Sequence, residues 1–291
     1  MQFEVARIEF SGNTKMAQGE LELIVKPHYG KKMTLPQVRA LADSVAEAYR
    51  EAGWLANVSL PRQDVTEGVV RMVVVEAKFG GVSLESSDTR VSADKIQAWI
   101  ASHMAVGETL SLSNLDRAIL TLNDLPDVTL LATLQAGTNP GETVLKVTAK
   151  DKPIITGFGG VDNFGDPSTG AIRGTMMTNV NGPFGHGEQL SFYGLGTEGS
   201  RYGRLALSAP LGERGLRLGV SASTMSYRVI KDGFDQLEGR GTAQTAGVDV
   251  SMPLIRSRPM NLYVTGNFAQ NNFDNNTVVG TTNRYSTQVA Q

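Results

Sequence analysis

The chain has 291 residues, no cysteine, and 27 Lys and Arg residues against 29 Asp and Glu residues, for a formal net charge of −2. The absence of cysteine excludes disulfides, thiolate metal sites and cysteine nucleophiles, and the near-neutral charge argues against a nucleic-acid-binding protein, which needs a basic surface. The length predicts two or three domains, while the 32 glycines are more than an ordinary soluble protein of this size needs.

The composition changes near Lys152. Residues 1–152 contain 10 glycines and nine lysines, whereas residues 153–291 contain 22 glycines and one lysine. The first part is typical of a charged α+β protein, and the second shows no helical pattern. No apolar run is long enough for a transmembrane helix, and Met1–Val5 has neither the basic nor the apolar region of a signal peptide.

Residues 1–152 contain two copies of one pattern, offset by 77 residues, as with Gly30 and Gly107. Each copy predicts a strand, a short helix, a longer helix and two further strands, which suffice for a small two-layer domain. In the first copy, residues 3–10 predict the opening strand. Thr34 and Gln37 form a capping box before a helix that ends at Gly53. We predict domains at 1–77 and 78–152, the second with helices around Ile96–Ile100 and Leu115–Leu122 and final strands at Val128–Gln135 and Thr143–Ala149.

A three-stranded sheet covered on one face by helices has free edges, and an edge strand can bind an extended peptide as an additional strand. The candidate edges are Ala56–Leu60 and Val128–Gln135. Prolines at Ser59 or Thr129 would be expected to remove an edge donor. The alternative is that both modules are purely structural. The predicted partner-binding residues are Asn57, Val58, Ser59, Leu60, Val128, Thr129, Leu130 and Leu131.

From Pro153 onwards, apolar residues alternate with small polar ones, and Gly-rich turns separate about eight runs of roughly ten residues. This pattern predicts a transmembrane β-barrel segment over 153–291, with a soluble β-sandwich as the alternative. Glycines inside the strands are expected to relieve crowding in a curved sheet. The predicted strands lie near 154–164, 171–181, 188–196, 201–211, 216–229, 241–254, 260–272 and 283–291, with longer irregular links at Ile230–Arg240 and Asn271–Thr282. The predicted lipid-facing residues are Leu205, Leu207, Leu216, Leu218, Val220, Val248, Val250, Leu262 and Val264.

No group of residues predicts catalysis. The segment Gly194–Gly199 fits the G-x-G-x-x-G dinucleotide fingerprint, but the residues that follow alternate as a strand and not as the required helix. We therefore predict a protein that is not an enzyme and that has no cofactor and no metal. Other potential ligands are isolated or lack a metal-binding spacing: His28, His103, His186, Asp162, Asn163 and Asp166.

Motifs along nearly the whole chain carry a family resemblance. In the first domain they are Phe3-x-Val5-x-x-Ile8-x-x-x-Gly12-Asn13-Thr14, Tyr49-Arg50-x-x-Gly53-Trp54-Leu55-x-x-Val58 and Gly68-Val69-Val70-Arg71. Further along they are Leu122-Asn123-Asp124-Leu125-Pro126, Gly160-Val161-Asp162-Asn163, Asn181-Gly182-Pro183-Phe184-Gly185 and Pro253-Leu254-Ile255-Arg256. These segments resemble the polypeptide-transport-associated (POTRA) domains and the first barrel strands of the two-partner-secretion transporters, also called haemolysin secretion/activation proteins.

The resemblance implies two POTRA domains of β-α-α-β-β order in the periplasm (residues 1–152) and a sixteen-stranded barrel in the outer membrane of a Gram-negative bacterium. Residues 153–291 would supply about half of that barrel. It implies transport of a large unfolded exoprotein, a haemolysin or adhesin with an N-terminal secretion domain, through a pore surrounded by outer-membrane lipid, without nucleic acid.

Two alternatives remain at this stage. One is an outer-membrane barrel-assembly factor, and the other is a non-conducting fragment that retains only POTRA peptide binding. The sequence lacks the family's plug helix before Phe3, its later Val-Arg-Gly motif and a terminal aromatic strand. The chain is therefore expected to be truncated within the barrel.

Overall fold

A computed structural model describes residues 2–86, 89–230, 239–277 and 280–291. Within these ranges the chain forms four α-helices and sixteen strands. Its contacts define two compact units, one of residues 1–85, 100–119 and 131–148, and the other of residues 86–99, 120–130 and 149–291. No helix in the described ranges is long and apolar enough to cross a membrane.

The first repeat contains a three-stranded sheet and a separate strand pair. Its elements are β1 (Gln2–Glu4), β2 (Arg7–Ser11), α1 (Gln18–Val25), β3 (Lys32–Thr34), α2 (Leu35–Glu51), β4 (Ala56–Ser59) and β5 (Val69–Glu76). The sheet has the order β2-β5-β4, in which β2 is parallel and β4 antiparallel to β5, and β1 pairs with β3.

The single opening strand predicted over residues 3–10 is wrong, because the backbone changes partner midway. The Val5 N–H donates to the Lys31 carbonyl at 3.1 Å, whereas the Ala6 N–H donates to the Gly68 carbonyl at 2.8 Å. Strands β1 and β2 therefore belong to different sheets. Val5 between them is fully buried.

Helix α2 begins and ends where the sequence predicts. The Thr34 N–H donates to Gln37 Oε1 at 2.7 Å, which completes the capping box. Gly53 follows the helix with φ +85°, a conformation that favours glycine. The predicted apolar face is buried in the core of the repeat: Val38, Leu41, Ala42, Val45 and Tyr49.

The second repeat has the predicted three strands and two helices. They are β6 (Lys78–Ser86), α3 (Ala93–Ala101), α4 (Leu112–Asn123), β7 (Val128–Ala136) and β8 (Glu142–Asp151). The sheet order β6-β8-β7 places the last strand in the middle, as β5 lies in the middle of the first sheet. The two copies therefore share one strand order.

The C-terminal part forms one antiparallel eight-stranded sheet in which each strand pairs with its neighbours in sequence. The strands are β9 (Ile155–Asp162), β10 (Arg173–Asn181), β11 (Gln189–Gly196), β12 (Ser200–Pro210), β13 (Arg217–Arg228), β14 (Arg240–Arg256), β15 (Asn261–Thr277) and β16 (Gly280–Ala290). The fold class predicted from the alternating pattern is thus confirmed.

The irregular link predicted at Asn271–Thr282 is wrong, because β15 continues to Thr277 and β16 starts at Gly280. Cross-strand side-chain contacts keep this polar run extended. Thr245 donates to Asn271 at 2.7 Å, and Phe273 stacks on Tyr285 with ring centroids 4.8 Å apart. In the other predicted link, Ile230–Arg240, residues 231–238 lie outside the described ranges.

Candidate polypeptide-handling site

Strand β4 lies at an edge of the sheet of the first repeat, and its outer side pairs with no other strand among the residues that the structure describes. The Ala77 N–H donates to the Leu55 carbonyl, and the Arg71 N–H donates to Gln63 Oε1, so odd-numbered positions of this strand point towards β5. Because backbone groups alternate in an antiparallel pair, the N–H and C=O of Val58 point away from β5, while those of Asn57 and Ser59 point towards it. Val58 therefore presents the backbone groups that a further strand would pair with.

This alternation corrects the predicted effect of a proline at Ser59. The Ser59 backbone belongs to the β4–β5 ladder, where its register partner is Val73. A proline there would break the sheet and would leave the outer edge intact. Leu60 lies just beyond the end of β4.

The corresponding edge of the second repeat, on β7, is partly occupied by the chain itself. The Leu130 N–H donates to Asn123 Oδ1 at 2.7 Å, and Asn123 Nδ2 donates to the Leu130 carbonyl at 3.2 Å. The side-chain amide of Asn123 thus takes the place of a neighbouring strand at Leu130. Val128 and Leu130 are buried, and Leu131 is exposed.

The same alternation applies to Thr129. Because the Lys152 N–H donates to the Asp127 carbonyl and the Gly137 N–H to the Glu142 carbonyl, odd-numbered β7 positions point towards β8. A proline at Thr129 would disrupt that ladder, contrary to the sequence-based expectation. No spacing in the sequence indicated the role of Asn123.

The eight-stranded sheet has one apolar face. Strand registers join its apolar residues into a row that crosses every strand. In order, this row is Ile155, Val180, Leu190, Leu207, Val220, Val248, Phe268 and Ala290. Val220 is 52% exposed and Phe268 is 48% exposed, so no other segment in the described ranges covers this face at these positions.

The opposite face, here called the polar face, has a row of mostly small residues next to the apolar row. The adjacent row on this face is Thr156, Asn179, Ser191, Ala206, Ser221, Gly247, Ala269 and Val289. Side chains are crowded here: a Cβ added to Gly219 would lie 2.3 Å from Asp249 Oδ2, and one added to Gly241 would lie 2.4 Å from Asn275 Oδ1. These two glycines therefore make room for polar side chains.

Eight of the nine residues predicted to contact lipid lie on the apolar face. The exception is Leu216, which precedes β13 and is half-buried. Contact with lipid itself stays a prediction. The eight are Leu205, Leu207, Leu218, Val220, Val248, Val250, Leu262 and Val264.

A charge placed on the apolar face should destabilise the sheet in a bilayer. Val220→Arg is expected to cost about 2–4 kcal/mol of folding free energy, because its guanidinium would enter hydrocarbon. Ser221→Arg, one residue further and on the polar face, should cost less than about 1 kcal/mol by the same reasoning. Urea titration of folding into phospholipid vesicles measures both values. Equal costs would contradict the assignment of the two faces.

A buried polar network, here called the junction network, joins residues 120–130 to the start of the eight-stranded sheet. Its centre is Asp127, whose side chain is inaccessible to solvent. Asp127 Oδ2 accepts a hydrogen bond from the Gly187 N–H at 3.0 Å. Burial raises the pKa of Asp127 despite that hydrogen bond and the nearby Arg90.

Arg90 connects three parts of the chain within this network. Its guanidinium donates to the backbone carbonyls of Asp127, at 3.2 Å, Lys152 and Asn181. It also faces Asp151 at 3.5 Å. One side chain thus ties the start of β7, the segment before β9 and the end of β10 together.

The turn between β10 and β11 is organised by Glu188, which is only 4% exposed. Its carboxylate accepts hydrogen bonds from the backbone N–H groups of Phe184 and His186. Burial alone would raise the pKa of Glu188, but these hydrogen bonds hold it below its usual value. Arg217 donates to the Gly187 carbonyl at 3.1 Å and holds the same turn from β13.

Two further cations bind the end of helix α4. Lys152 Nζ donates to the carbonyls of Asn123 and Leu125 at 2.8 and 2.7 Å, a favourable position for a cation at a helix C-terminus. Burial lowers the pKa of Lys152. Arg256 binds Asp124 through two hydrogen bonds of 2.8 Å each. The junction network therefore positions chain segments.

The described ranges contain no group of three or more His, Asp or Glu residues arranged to hold a metal ion. The fingerprint match at Gly194–Gly199 lies in a hairpin, since β11 ends at Gly196 and β12 starts at Ser200. It is therefore not followed by the helix that a dinucleotide site requires.

Two POTRA-like α/β repeats followed by an antiparallel sheet with one apolar and one polar face define the class of POTRA-bearing outer-membrane barrel proteins. Residues 3–77 match the ShlB-type POTRA domain. Residues 141–290 match the haemolysin secretion/activation protein family ShlB/FhaC/HecB. The chain belongs to this family, whose members are transporters of the Gram-negative outer membrane with periplasmic POTRA domains.

Curated relatives are similar over most of this chain. The heme/hemopexin transporter protein HuxB of Haemophilus influenzae is 26% identical over 264 residues, which cover 89% of this chain and 46% of HuxB. The outer membrane transporter CdiB of Escherichia coli is 26% identical over 184 residues, covering 63% of this chain and 31% of that protein. The matched residues thus span about half the length of HuxB and about a third of the length of CdiB.

Solved structures show the same fold. CdiB from Escherichia coli superimposes with a TM-score of 0.75 at 21% identity, covering 100% of this chain and 55% of CdiB. BamA from Haemophilus ducreyi, lacking POTRA domains 1–3, gives 0.55 at 13% identity, covering 100% of this chain and 58% of that structure. The eight strands therefore match half of a CdiB-type barrel.

Proposed function

We propose that the protein takes part in two-partner secretion as an outer-membrane translocator, which recognises an unfolded exoprotein through its POTRA domains and passes it through a barrel pore. The observation that carries this proposal is the free edge of β4 at Val58, present in a chain that also supplies a barrel wall. Family membership supports it. The protein would need neither cofactor nor catalytic group, because β-strand addition and a polar channel suffice.

We further propose a division of labour along the chain. Residues 1–77 would capture the partner, residues 78–152 would connect capture to the barrel, and residues 153–291 would form part of the pore. The two compact units divide the second repeat differently, since residues 86–99 and 120–130 group with the sheet. The junction network supports a connecting role for those residues.

Capture would follow the rules of strand addition. An extended segment of the exoprotein would pair its backbone with Val58, so that affinity comes from main-chain hydrogen bonds and depends little on sequence. On β7, Asn123 already satisfies Leu130, so peptide binding there would require displacement of that side chain. Of the two candidate edges, β4 is therefore preferred over β7.

Passage would follow the polar face. Its row of seven serine, threonine, asparagine, alanine and glycine residues, with Val289 at the last strand, offers hydrogen bonds but little apolar surface to which an unfolded chain could bind. The apolar face would meet outer-membrane lipid. The expected partner is a large secreted protein with an N-terminal secretion domain.

Val58→Pro should weaken capture of the partner. The proline removes the N–H at the free edge and places a ring where the added strand would lie. We expect affinity for the secretion domain of a cognate exoprotein to fall at least about tenfold, more than one lost hydrogen bond alone would cost. Binding to the purified full chain can be measured by microscale thermophoresis.

Val58→Ala is the matched control, since it removes packing but keeps the N–H. Its affinity for the secretion domain should stay within about threefold of that of the original chain, because the lost packing lies in the core and the backbone N–H at the edge is kept. If both variants bind equally, strand addition at β4 is wrong.

A barrel-assembly factor remains the competing function, because BamA shares the fold. That similarity concerns the fold alone, whereas the family match favours secretion. The two functions can be distinguished by which peptide binds the β4 edge. A secretion domain that competes for the β4 edge would support secretion, and a C-terminal strand peptide of an outer-membrane barrel that binds there instead would support assembly.

A further inference from the structure

The ends of the barrel strands can be distinguished by their contacts. Arg217 and Arg256, which bind Gly187 and Asp124 in the junction network, lie at one end of β13 and β14. Arg228 and Arg240 are the residues at the other ends of the same strands. Since the POTRA domains are periplasmic, Arg228 and Arg240 lie at the outer end.

Along the apolar face, the strands change character towards this outer end. On β13 the residues of this face pass from Leu218, Val220 and Ala222 to Thr224, Ser226 and Arg228. Their register partners on β14 are Val250, Val248 and Ala246 in the apolar part and Gln244, Thr242 and Arg240 in the polar part. A strand of 17 residues, at about 3.4 Å each, is roughly twice as long as an apolar band of about 25 Å requires. The polar part therefore extends beyond the apolar band on its outer side.

Three arginines lie together in this polar part, and we call them the outer arginine cluster: Arg201, Arg228 and Arg240. They line a cavity of about 560 Å³, together with Glu198, Thr242 and Asn276. Strand register places Arg201 opposite Ser226, on the same face as the apolar row.

Two members of the outer arginine cluster lie opposite each other on paired strands. Arg228 and Arg240 are direct register partners, and like charges directly opposite each other destabilise a sheet. Within the described ranges, none of the three arginines has an ion pair. By contrast, Arg284, one row away on the same face, pairs with Asp274 at 2.5 Å.

We propose that the outer arginine cluster binds the phosphate group of a phosphorylated glycolipid in the outer leaflet. A phosphate between Arg228 and Arg240 would turn their repulsion into paired, charge-assisted hydrogen bonds, for which guanidinium groups are well suited. The acyl chains of the same molecule would reach past the polar rows of Ser226 and Thr224 to the apolar residues that begin at Ala222 and Leu205. The inference rests on the proposed placement in the membrane and is independent of partner capture at β4.

The test uses the full chain in detergent, with diphosphorylated lipid A as the probe and its chemically dephosphorylated form as a comparison. The double variant Arg228→Ala, Arg240→Ala should bind the phosphorylated lipid at least about tenfold more weakly, as expected for the loss of charge-assisted bonds. Arg284→Ala, the control at a paired arginine of the same face, should stay within about twofold. The original chain should discriminate against the dephosphorylated lipid by a similar factor.

Unchanged binding by the double variant, or equal binding of the dephosphorylated lipid, would overturn the proposal. Inorganic phosphate forms a separate arm: if it binds as tightly as the lipid, the site is a simple anion site and the lipid assignment is wrong. Should the alanine variant fail to fold, as judged by circular dichroism, the Arg228→Gln, Arg240→Gln variant replaces it. Failure of lipid binding with intact capture of the secretion domain would leave the proposed secretion function standing.

Discussion

Arg90→Ala should destabilise the junction network by roughly 3–5 kcal/mol, because removal of a buried charged partner leaves polar groups unsatisfied. In the original chain, the guanidinium satisfies the carbonyls of Asp127, Lys152 and Asn181. Alanine can reach none of them. Arg90→Lys should recover only a small part of the lost stability, since an ammonium group cannot bind three carbonyls in the geometry of a guanidinium.

The effect can be measured by hydrogen exchange of amides around the junction, notably Gly187 and Lys152, which donate to Asp127. Lys95→Ala serves as a control, because Lys95 makes one exposed hydrogen bond to the His186 carbonyl of the same turn. It should cost less than about 1 kcal/mol. Loss of protection as large in the control as in Arg90→Ala would show that the arginine has no special role.

Gly12→Ala should destabilise the first repeat more than an ordinary change of a turn glycine. Gly12 has φ +85°, and an added Cβ would lie 2.3 Å from the Val74 carbonyl oxygen on β5. The left-handed backbone alone costs a non-glycine residue about 1–2 kcal/mol. The clash with backbone adds to this, because β2 and β5 are paired strands that cannot separate independently.

Gly53→Ala provides a matched control. Gly53 has the same φ of +85°, but no atom lies within 4 Å of an added Cβ. We expect the free energy of unfolding to fall by about 1–2 kcal/mol for Gly53→Ala and by at least about 3 kcal/mol for Gly12→Ala. Hydrogen exchange of the β5 amides, Val69–Glu76, reports both in the full chain. Equal losses would mean that the structure relaxes around Gly12 at no cost.

A carboxylate next to Gly12 explains why this corner of the repeat is rigid. Glu76, at the end of β5, accepts hydrogen bonds from the Lys15 N–H at 2.7 Å and the Tyr49 hydroxyl at 3.1 Å, and also from Thr14. Burial opposes ionisation, yet these donors together hold the pKa of Glu76 below its usual value. The loop after β2 is thereby fastened to β5, next to the edge strand proposed to capture the partner.

Much of the fold follows from local patterns in the sequence. Helix α2 was predictable because its capping box, apolar spacing and final glycine all act within a few residues. The eight strands and the apolar face were predictable because alternation assigns Val220 and Ser221 to opposite faces wherever the strand pairs. The family motifs added the class of protein, which periodicity alone could not supply.

The edge that can accept a partner, and the arginines that face outwards, required the tertiary structure. Asn123 and Leu130 are seven residues apart, and only the folded chain shows that one satisfies the backbone of the other. Arg228 and Arg240 meet through strand register, and Arg90 binds carbonyls 37 to 91 residues away in sequence. Sequence periodicity determines which side of a strand a residue occupies, whereas contacts between distant segments depend on pairing and packing that no local pattern encodes.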